Sequence, residues 1–276
     1  MSYADQVFVQ NIKDILENGV SDEKLKVRPK WEDGTPAHTI KKFGIVNRYD
    51  LQKELPILTI RKTNFEAAID EILWIWQKKS NKVADLNSHI WDQWCGKDGT
   101  IGKAYGYQLA QKAIYPEGEF DQVDRVLFDL KNNPNSRRII TNIYNFQDLH
   151  EMNLYPCAYS MTFNVSGNVL NGILNQRSND MLVANNWNVL QYSVLLMMFA
   201  QVSGLVPGEL VHVIADAHLY DRHVEIAKEV IAKEQYDAPK LIINPDVKNF
   251  YDFKVEDFKL VDYKYHLLGK KLPVAE

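Results

Sequence analysis

Residues 154–180 read LYPCAYSMTFNVSGNVLNGILNQRSND. Two segments of alternating apolar and polar residues flank Ser166-Gly167-Asn168, the pattern of a β-hairpin closed by a short glycine-containing loop. Cys157 opens the first strand directly after Pro156, and Arg177-Ser178 closes the second. With a three-residue loop, Val165 pairs with Val169, and counting back places Cys157 opposite Arg177. Another loop length moves Arg177 by one place. A guanidinium beside the thiol favours the thiolate, which is the nucleophilic form. Free cysteine is most often an inert buried residue. Here the Pro-Cys turn and the cluster Gln176-Arg177-Ser178-x-Asp180 on the facing strand argue for chemistry instead.

Outward from the hairpin, the chain alternates between helical and extended patterns. A loop over 180–188 leads into a helix over 187–203, apolar nearly all round and therefore buried. Gly204, Pro207 and Gly208 end it. A short strand over 210–215 then carries Asp216, His218, Tyr220 and His223 at its end, and late strands fall at 240–243 and 258–263. On the N-terminal side, residues 3–17 form a helix, and 21–36 a polar loop bearing Arg28. Strands are expected at 39–49 and 57–62. A helix over 65–79 has Glu71 at the rim of its apolar stripe, where a carboxylate serves either as an ion-pair partner or as a proton carrier. Trp91, Trp94 and Gly102-x-x-Tyr105-Gly106 follow. A helix over 121–132 precedes Arg137-Arg138 and a strand over 139–144. Adjacent strand residues point to opposite faces, so Arg137 and Arg138 share one site only through their length or a bent strand. The pattern is α/β, and without linker, repeat or low-complexity segment it reads as one domain over 1–276.

Composition narrows the function. With 276 residues and a net charge of −4, the chain has no global basic field for nucleic acid. Any anion site is built locally from a few arginines. Two cysteines, Cys95 and Cys157, make no disulfide framework and suit a reducing compartment. Residues 1–19 are polar-interrupted and unlike a signal peptide, and the most apolar run, 194–200, is too short for a bilayer. A cytoplasmic protein without membrane or DNA partners is expected. The His218-x4-His223 spacing lacks the arrangement of a zinc site. A Cys-His-Asp hydrolase built from Cys157, His218 and Asp216 leaves the arginines unexplained, and a non-catalytic nucleotide-binding module has no use for an activated thiol.

Three segments, Leu154-x-Pro156-Cys157, Gln176-Arg177-Ser178-x-Asp180 and Asp216-x-His218-x-Tyr220-x-x-His223, resemble the nucleophile, phosphate and ribose segments of the folate-dependent thymidylate synthases. The resemblance extends from about Arg28 to Ala275 in the same order and spacing. It implies an α/β fold, a large mixed β-sheet with helices on one face and a homodimer packed sheet to sheet. It also implies reductive methylation of deoxyuridylate (dUMP) to thymidylate (dTMP), with 5,10-methylenetetrahydrofolate as cosubstrate and no metal. Catalysis then falls to Cys157, Tyr105 and Glu71. The substrate is held by Arg28, Gln176, Arg177, Ser178, Asn188, His218 and Tyr220, with Arg137 and Arg138 reaching across from the partner subunit. Asp180, Trp91 and Ala275 are implied at the folate. Four arginines and Ser178 suit a dianionic phosphate, which guanidinium groups bind bidentately.

Several positions depart from the family pattern. Ala158 replaces the usual histidine after the cysteine. Val183-Ala184-Asn185-Asn186-Trp187-Asn188 replaces a Leu-Gly-x-Pro-Phe-Asn loop. A different loop follows Arg28, and Glu276 ends the chain where a small apolar residue is usual. The related deoxycytidylate hydroxymethylases carry aspartate at the position of Asn188, so that second activity is disfavoured.

Overall fold

The computed structural model describes residues 1–275; Glu276, and with it the expectation about the terminal charge, lies outside them. Helix α1 (Tyr3–Asn18) and the short strand β1 (Val20–Ser21) precede β2 (Thr39–Asp50) and α2 (Phe65–Trp76). Helix α3 (Gly106–Leu109), the hairpin β3 (Ala113–Tyr115) and β4 (Gly118–Phe120), α4 (Gln122–Asn132) and β5 (Ile140–Asn142) lead to the central hairpin, β6 (Ala158–Ser166) and β7 (Val169–Gln176). After β8 (Asn179–Asp180) come α5 (Asn185–Ser203), β9 (Val206–Tyr220), α6 (Val224–Ile231), β10 (Lys240–Ile243) and β11 (Phe258–Val261). Among the described residues the largest sheet has seven strands, ordered β1-β2-β9-β7-β6-β5, with β8 pairing β9. It is mixed: β7 and β8 run parallel to β9, and the other pairs are antiparallel.

Period-2 alternation sorts the two faces of this sheet. The cross-strand row Tyr49–Leu210–Gly172–Phe163 is buried under helices, as is Asn47–His212–Leu174–Met161. Helix α5 packs on β7 and β9, α1 packs on β2, and α2 packs on α5. Gly172 lets the helix and sheet approach closely: a Cβ there would meet Met161 Cε at 2.4 Å and Leu196 Cδ1 at 3.2 Å, and those side-chain ends would have to move. The opposite rows face outward: Arg48–Val211–Ile173–Thr162–Ile140 and, nearby, Phe43 and Val46. Phe43 is 90% and Ile140 54% exposed in the isolated chain.

Two expectations about strands are corrected. Residues 57–62 are not a strand: Ile57, Leu58, Thr59 and Ile60 are all buried, so the two-sided alternation of a sheet edge is missing. Two of their amides go instead to Asp5, whose carboxylate accepts from the N–H groups of Thr59 (2.9 Å) and Ile60 (3.3 Å) and from the Thr59 hydroxyl. The strand expected at 210–215 runs from Val206 to Tyr220, carrying the polar residues at its end inside the sheet.

The hairpin contains a third correction. Ser166 pairs with Val169, so the loop has two residues, with Gly167 at φ +66° where a type II′ turn places glycine. That register alone would misalign Cys157. A one-residue bulge between Ala158 and Ser160 restores it: Ala158 pairs with Gln176, and Arg177 N–H donates to Cys157 O at 3.0 Å. Cys157 thus faces Arg177, as expected, by a different route.

Candidate active site

The bulge holds Cys157 at the mouth of the hairpin, half-buried. Arg177 is fixed over it: Nε donates to Pro156 O at 3.0 Å, Nη2 to Tyr155 O at 2.8 Å, and Nη2 lies 3.7 Å from Cys157 Sγ. Burial pushes the thiol up while the Arg177 charge pulls it down, and burial prevails in the free chain. The thiolate expected from the cation alone is therefore not the resting form. Cys157 N–H donates to Tyr105 OH at 3.3 Å. Tyr105 has φ +46°, a strained value for an aromatic residue, beside Gly106, where a Cβ would strike Ser80 O at 2.3 Å. Burial holds its phenol well above the usual range.

Glu71 is buried, not at the rim of its helix as the apolar stripe suggests. Its carboxylate accepts from Trp91 Nε1 (2.6 Å), Gln191 Nε2 (2.7 Å) and Trp187 Nε1. Burial raises its pKa, and those three donors act against the rise. Trp91 also meets Tyr105 edge to face, with ring centroids 5.1 Å apart, so the Glu71 and Tyr105 groups form one assembly. Helix α5 begins at Asn185, two residues before the expected start, and places Asn188 and Gln191 one turn apart. Asn188 Oδ1 accepts from Gln176 Nε2 at 2.9 Å, and Asn188 Nδ2 donates to Gln191 Oε1 at 3.3 Å. Gln176 Oε1 in turn accepts from Asn179 Nδ2 at 2.6 Å and pairs with His212 Nε2. Burial drives the His212 pKa down to about 3, so this ring is neutral.

Strand β8 pairs Asp180 with His218, and His218 Nδ1 contacts Asp216 Oδ1 at 2.9 Å. Lys41 Nζ sits 3.2 Å from the other Asp216 oxygen. Tyr220 packs edge to face on His218, and on Trp31 from the loop after Arg28. Burial and the nearby anions push the Tyr220 phenol up to about 12, opposed by Arg28, which brings Arg28 electrostatically into the site although its side chain is exposed. Trp31 Nε1 donates to Asp221 Oδ1 at 3.0 Å, anchoring the unusual loop. Asp180 Oδ1 accepts from the N–H groups of Leu182 and Val183, each at 3.0 Å. Burial works against its anion, but His223, His218 and the Val183 N–H together outweigh it, so Asp180 sits below the usual carboxylate range. His223 Nε2 contacts Pro273 O at 2.8 Å and tethers the segment that leads to Ala275.

Hydrogen bonds and ring contacts link Cys157, Tyr105, Glu71, Trp91, Gln176, Arg177 and Asn188 through Gln191. Asp180, His218 and Tyr220 form a second cluster on β8 and the end of β9, where Tyr220 senses the charge of Cys157. Ser178 lies in the bend beside Arg177, half-buried. Arg137 and Arg138 stand apart. Both are exposed, their side chains make no hydrogen bond or ion pair among the described residues, and they line a groove of about 910 Å³ with Tyr115 and Glu117. Sequence reasoning missed Trp187, Gln191, Asn179 and His212. The spacing of Asn188 and Gln191 at i, i+3 in a buried helix was the available signal.

The family model described as thymidylate synthase matches residues 6–275. A thymidylate synthase of Bacillus subtilis subsp. natto is 50% identical over 277 aligned residues, covering 99% of this chain and 98% of that protein. One of Bacillus phage phi3T is 50% identical with the same coverage. The solved structure of thermostable thymidylate synthase A from Bacillus subtilis superposes with a TM-score of 0.93 at 48% identity, covering 99% of both chains. A match of this extent, on a sheet and a cysteine-centred network of this geometry, places the chain in the thymidylate synthase family.

Proposed function

We propose that Cys157 is the nucleophile of the family's reaction, the reductive methylation of dUMP to dTMP with methylenetetrahydrofolate. The observation that carries this is the thiol itself, 3.7 Å from a guanidinium and joined through its own amide to Tyr105 OH. Sγ adds to C6 of uracil, which makes C5 nucleophilic. Binding of a dianionic phosphate beside Arg177 brings the ring over Sγ, and the nearby guanidinium favours the thiolate as the sulfur attacks. Asn188 reads the uracil edge, and His218 with Tyr220 holds the ribose hydroxyl. Tyr105 and Glu71 manage the C5 proton. Arg28, Arg177 and Ser178 take the phosphate, with Gln176 beside the base.

The folate supplies the one-carbon unit and the hydride. Asp180 suits its pterin: Oδ1 is occupied by two backbone N–H groups, while Oδ2 faces only His223 Nδ1 at 3.6 Å, and that nitrogen lacks a hydrogen-bond partner. An anionic oxygen with open valence suits an amino group and ring N–H. Trp91 and Ala275 are assigned to the same ligand. The apolar outward rows of the sheet support a homodimer packed sheet to sheet, with Arg137 and Arg138 delivered to the partner's phosphate site. The chain acts as one catalytic domain, in the cytoplasm. No helix among the described residues is long and apolar enough to cross a membrane.

The test is incubation with dUMP and methylenetetrahydrofolate while following dihydrofolate absorbance, then with 5-fluorodeoxyuridylate and the folate. A covalent adduct on Cys157 is expected. An unmodified Cys157 under saturating ligand refutes the assignment.

A further inference from the structure

A carboxamide that reads uracil must be prevented from turning over. Rotated by half a turn, Asn188 would present an acceptor to position 4 and a donor to position 3, the pattern cytosine wants. One end of its hydrogen-bond chain does not prevent this. Gln176 and Asn179 can invert together, with the His212 proton moved to the other ring nitrogen, and the same contacts survive. The other end is different. Gln191 Nε2 has two hydrogens, and both face groups with lone pairs: the Ala68 carbonyl at 3.1 Å and Glu71 Oε2 at 2.7 Å. The Ala68 carbonyl is backbone and only accepts. Gln191 must therefore turn Oε1 toward Asn188, which answers with Nδ2 at 3.3 Å and shows Oδ1 to Gln176.

We infer that Gln191 is the positioning residue that fixes the carboxamide of Asn188 in its uracil-reading orientation and couples it to Glu71. This rests on the proposed reading of the base by Asn188 and goes one layer beneath it. Gln191 is on α5, while Ala68 and Glu71 are on α2, so the pin also ties together the two helices that carry the base reader and the carboxylate. Trp187, from the first turn of α5, donates to the same Glu71 oxygen. Phenylalanine, usual in the family pattern at this place, has no hydrogen to give. The chain thus supplies two donors to Glu71 from α5 alone, one of which also orients Asn188.

These two donors separate the effects. Gln191→Met keeps the side-chain length and removes both functions; Trp187→Phe keeps a ring and removes only a donor to Glu71. The readouts, on the full-length enzyme, are the inhibition constant of deoxycytidylate (dCMP) relative to KM for dUMP, and the pH profile of proton release from C5-tritiated dUMP. Gln191→Met should improve relative dCMP binding roughly tenfold, the factor carried by one hydrogen bond. Both variants should move the limb governed by Glu71 upward, by about one pH unit, because each removes a donor that favours its anion. Trp187→Phe should leave the base preference within about twofold. An unchanged preference in Gln191→Met overturns the inference, and a limb that stays in place overturns the coupling. Asn188→Asp tells the two readings apart. If it shifts the preference while Gln191→Met does not, only the role of Gln191 is lost; if it too changes nothing, Asn188 does not read the base. Gln191→Ser serves the same comparison should the methionine variant fail to accumulate.

Discussion

At the end of the site proposed to bind the base, Glu71, Asn188, Gln191 and Gln176 satisfy one another from within the chain. At the end proposed to bind the phosphate, Arg28, Arg137 and Arg138 are exposed, and of the four arginines only Arg177 is tied down. The difference fits what each end would bind on that reading. A neutral heterocycle is discriminated by hydrogen bonds whose cost of misorientation is high, so the partners are ordered before it arrives. A phosphate dianion brings its own charge, and solvated guanidinium groups can close on it. Cys157 stands at the junction, held by Arg177 on one side and Tyr105 on the other.

The largest expected effect tests that junction. Cys157→Ser should lower turnover by roughly 10³-fold or more, since an alkoxide is far less accessible than a thiolate. Equilibrium dialysis should show dUMP still bound, because both ends of the cleft are intact. If turnover persists, the junction is not where chemistry occurs. If binding is lost as well, the two ends are not independent.

Next in size is the exposed pair. Arg137→Ala should weaken dUMP through KM more than kcat. If the pair acts across the subunit interface, mixing Arg137→Ala with Cys157→Ser subunits and assaying at dUMP well below the raised KM, where both parents are nearly inactive, should restore about a quarter of wild-type activity once subunits exchange, because half the dimers then hold one intact site. A mixture that exchanges and stays inactive would place Arg137 in its own subunit's site and remove the contrast between a finished and an unfinished end.

How much of this was legible in the sequence depends on which interactions are local. The thiol, its arginine and the alternation of the central hairpin are visible because strand periodicity and short-range turn chemistry are written along the chain. The pairing of Cys157 with Arg177 was reached with a three-residue loop, whereas the chain uses a two-residue turn and a bulge; each shifts the register by one. The segment over 57–62 misled because the amides of Thr59 and Ile60 are bound by Asp5, more than fifty residues away. Glu71 looked marginal on its own helix and is buried by Trp91 and Trp187, which no helical wheel of 65–79 contains. Gln191 was hidden for the same reason: its partners Ala68 and Glu71 are about 120 positions distant.

The smallest expected effect concerns Asp180 and His223, a pair buried like the base-binding end but charged like the anion-binding end. His223 is fully buried, and burial lowers its pKa, but the nearby Asp180 carboxylate and, to a lesser degree, the Pro273 carbonyl more than offset this, for a net rise. A raised folded-state value means that the folded chain keeps a proton the unfolded chain has lost. The stabilisation is whole below the unfolded value, about 6.5, and disappears as pH climbs through the folded one. Asp180 is depressed, so its share is whole above about 3.9 and is lost as pH falls through its folded value. The pair therefore contributes in the window between those limits. His223→Gln retains an N–H for the Pro273 carbonyl while removing the charge. The expected loss in Tm is about 2–4 °C near pH 6, the shift per kcal/mol for a chain of this size, and it should shrink toward zero as the solution is made alkaline. Melting curves of both proteins across that range provide the measurement. A difference that is constant with pH would mean that His223 holds the C-terminal segment by packing and its hydrogen bond alone, and that the charge shared with Asp180 contributes nothing to the fold.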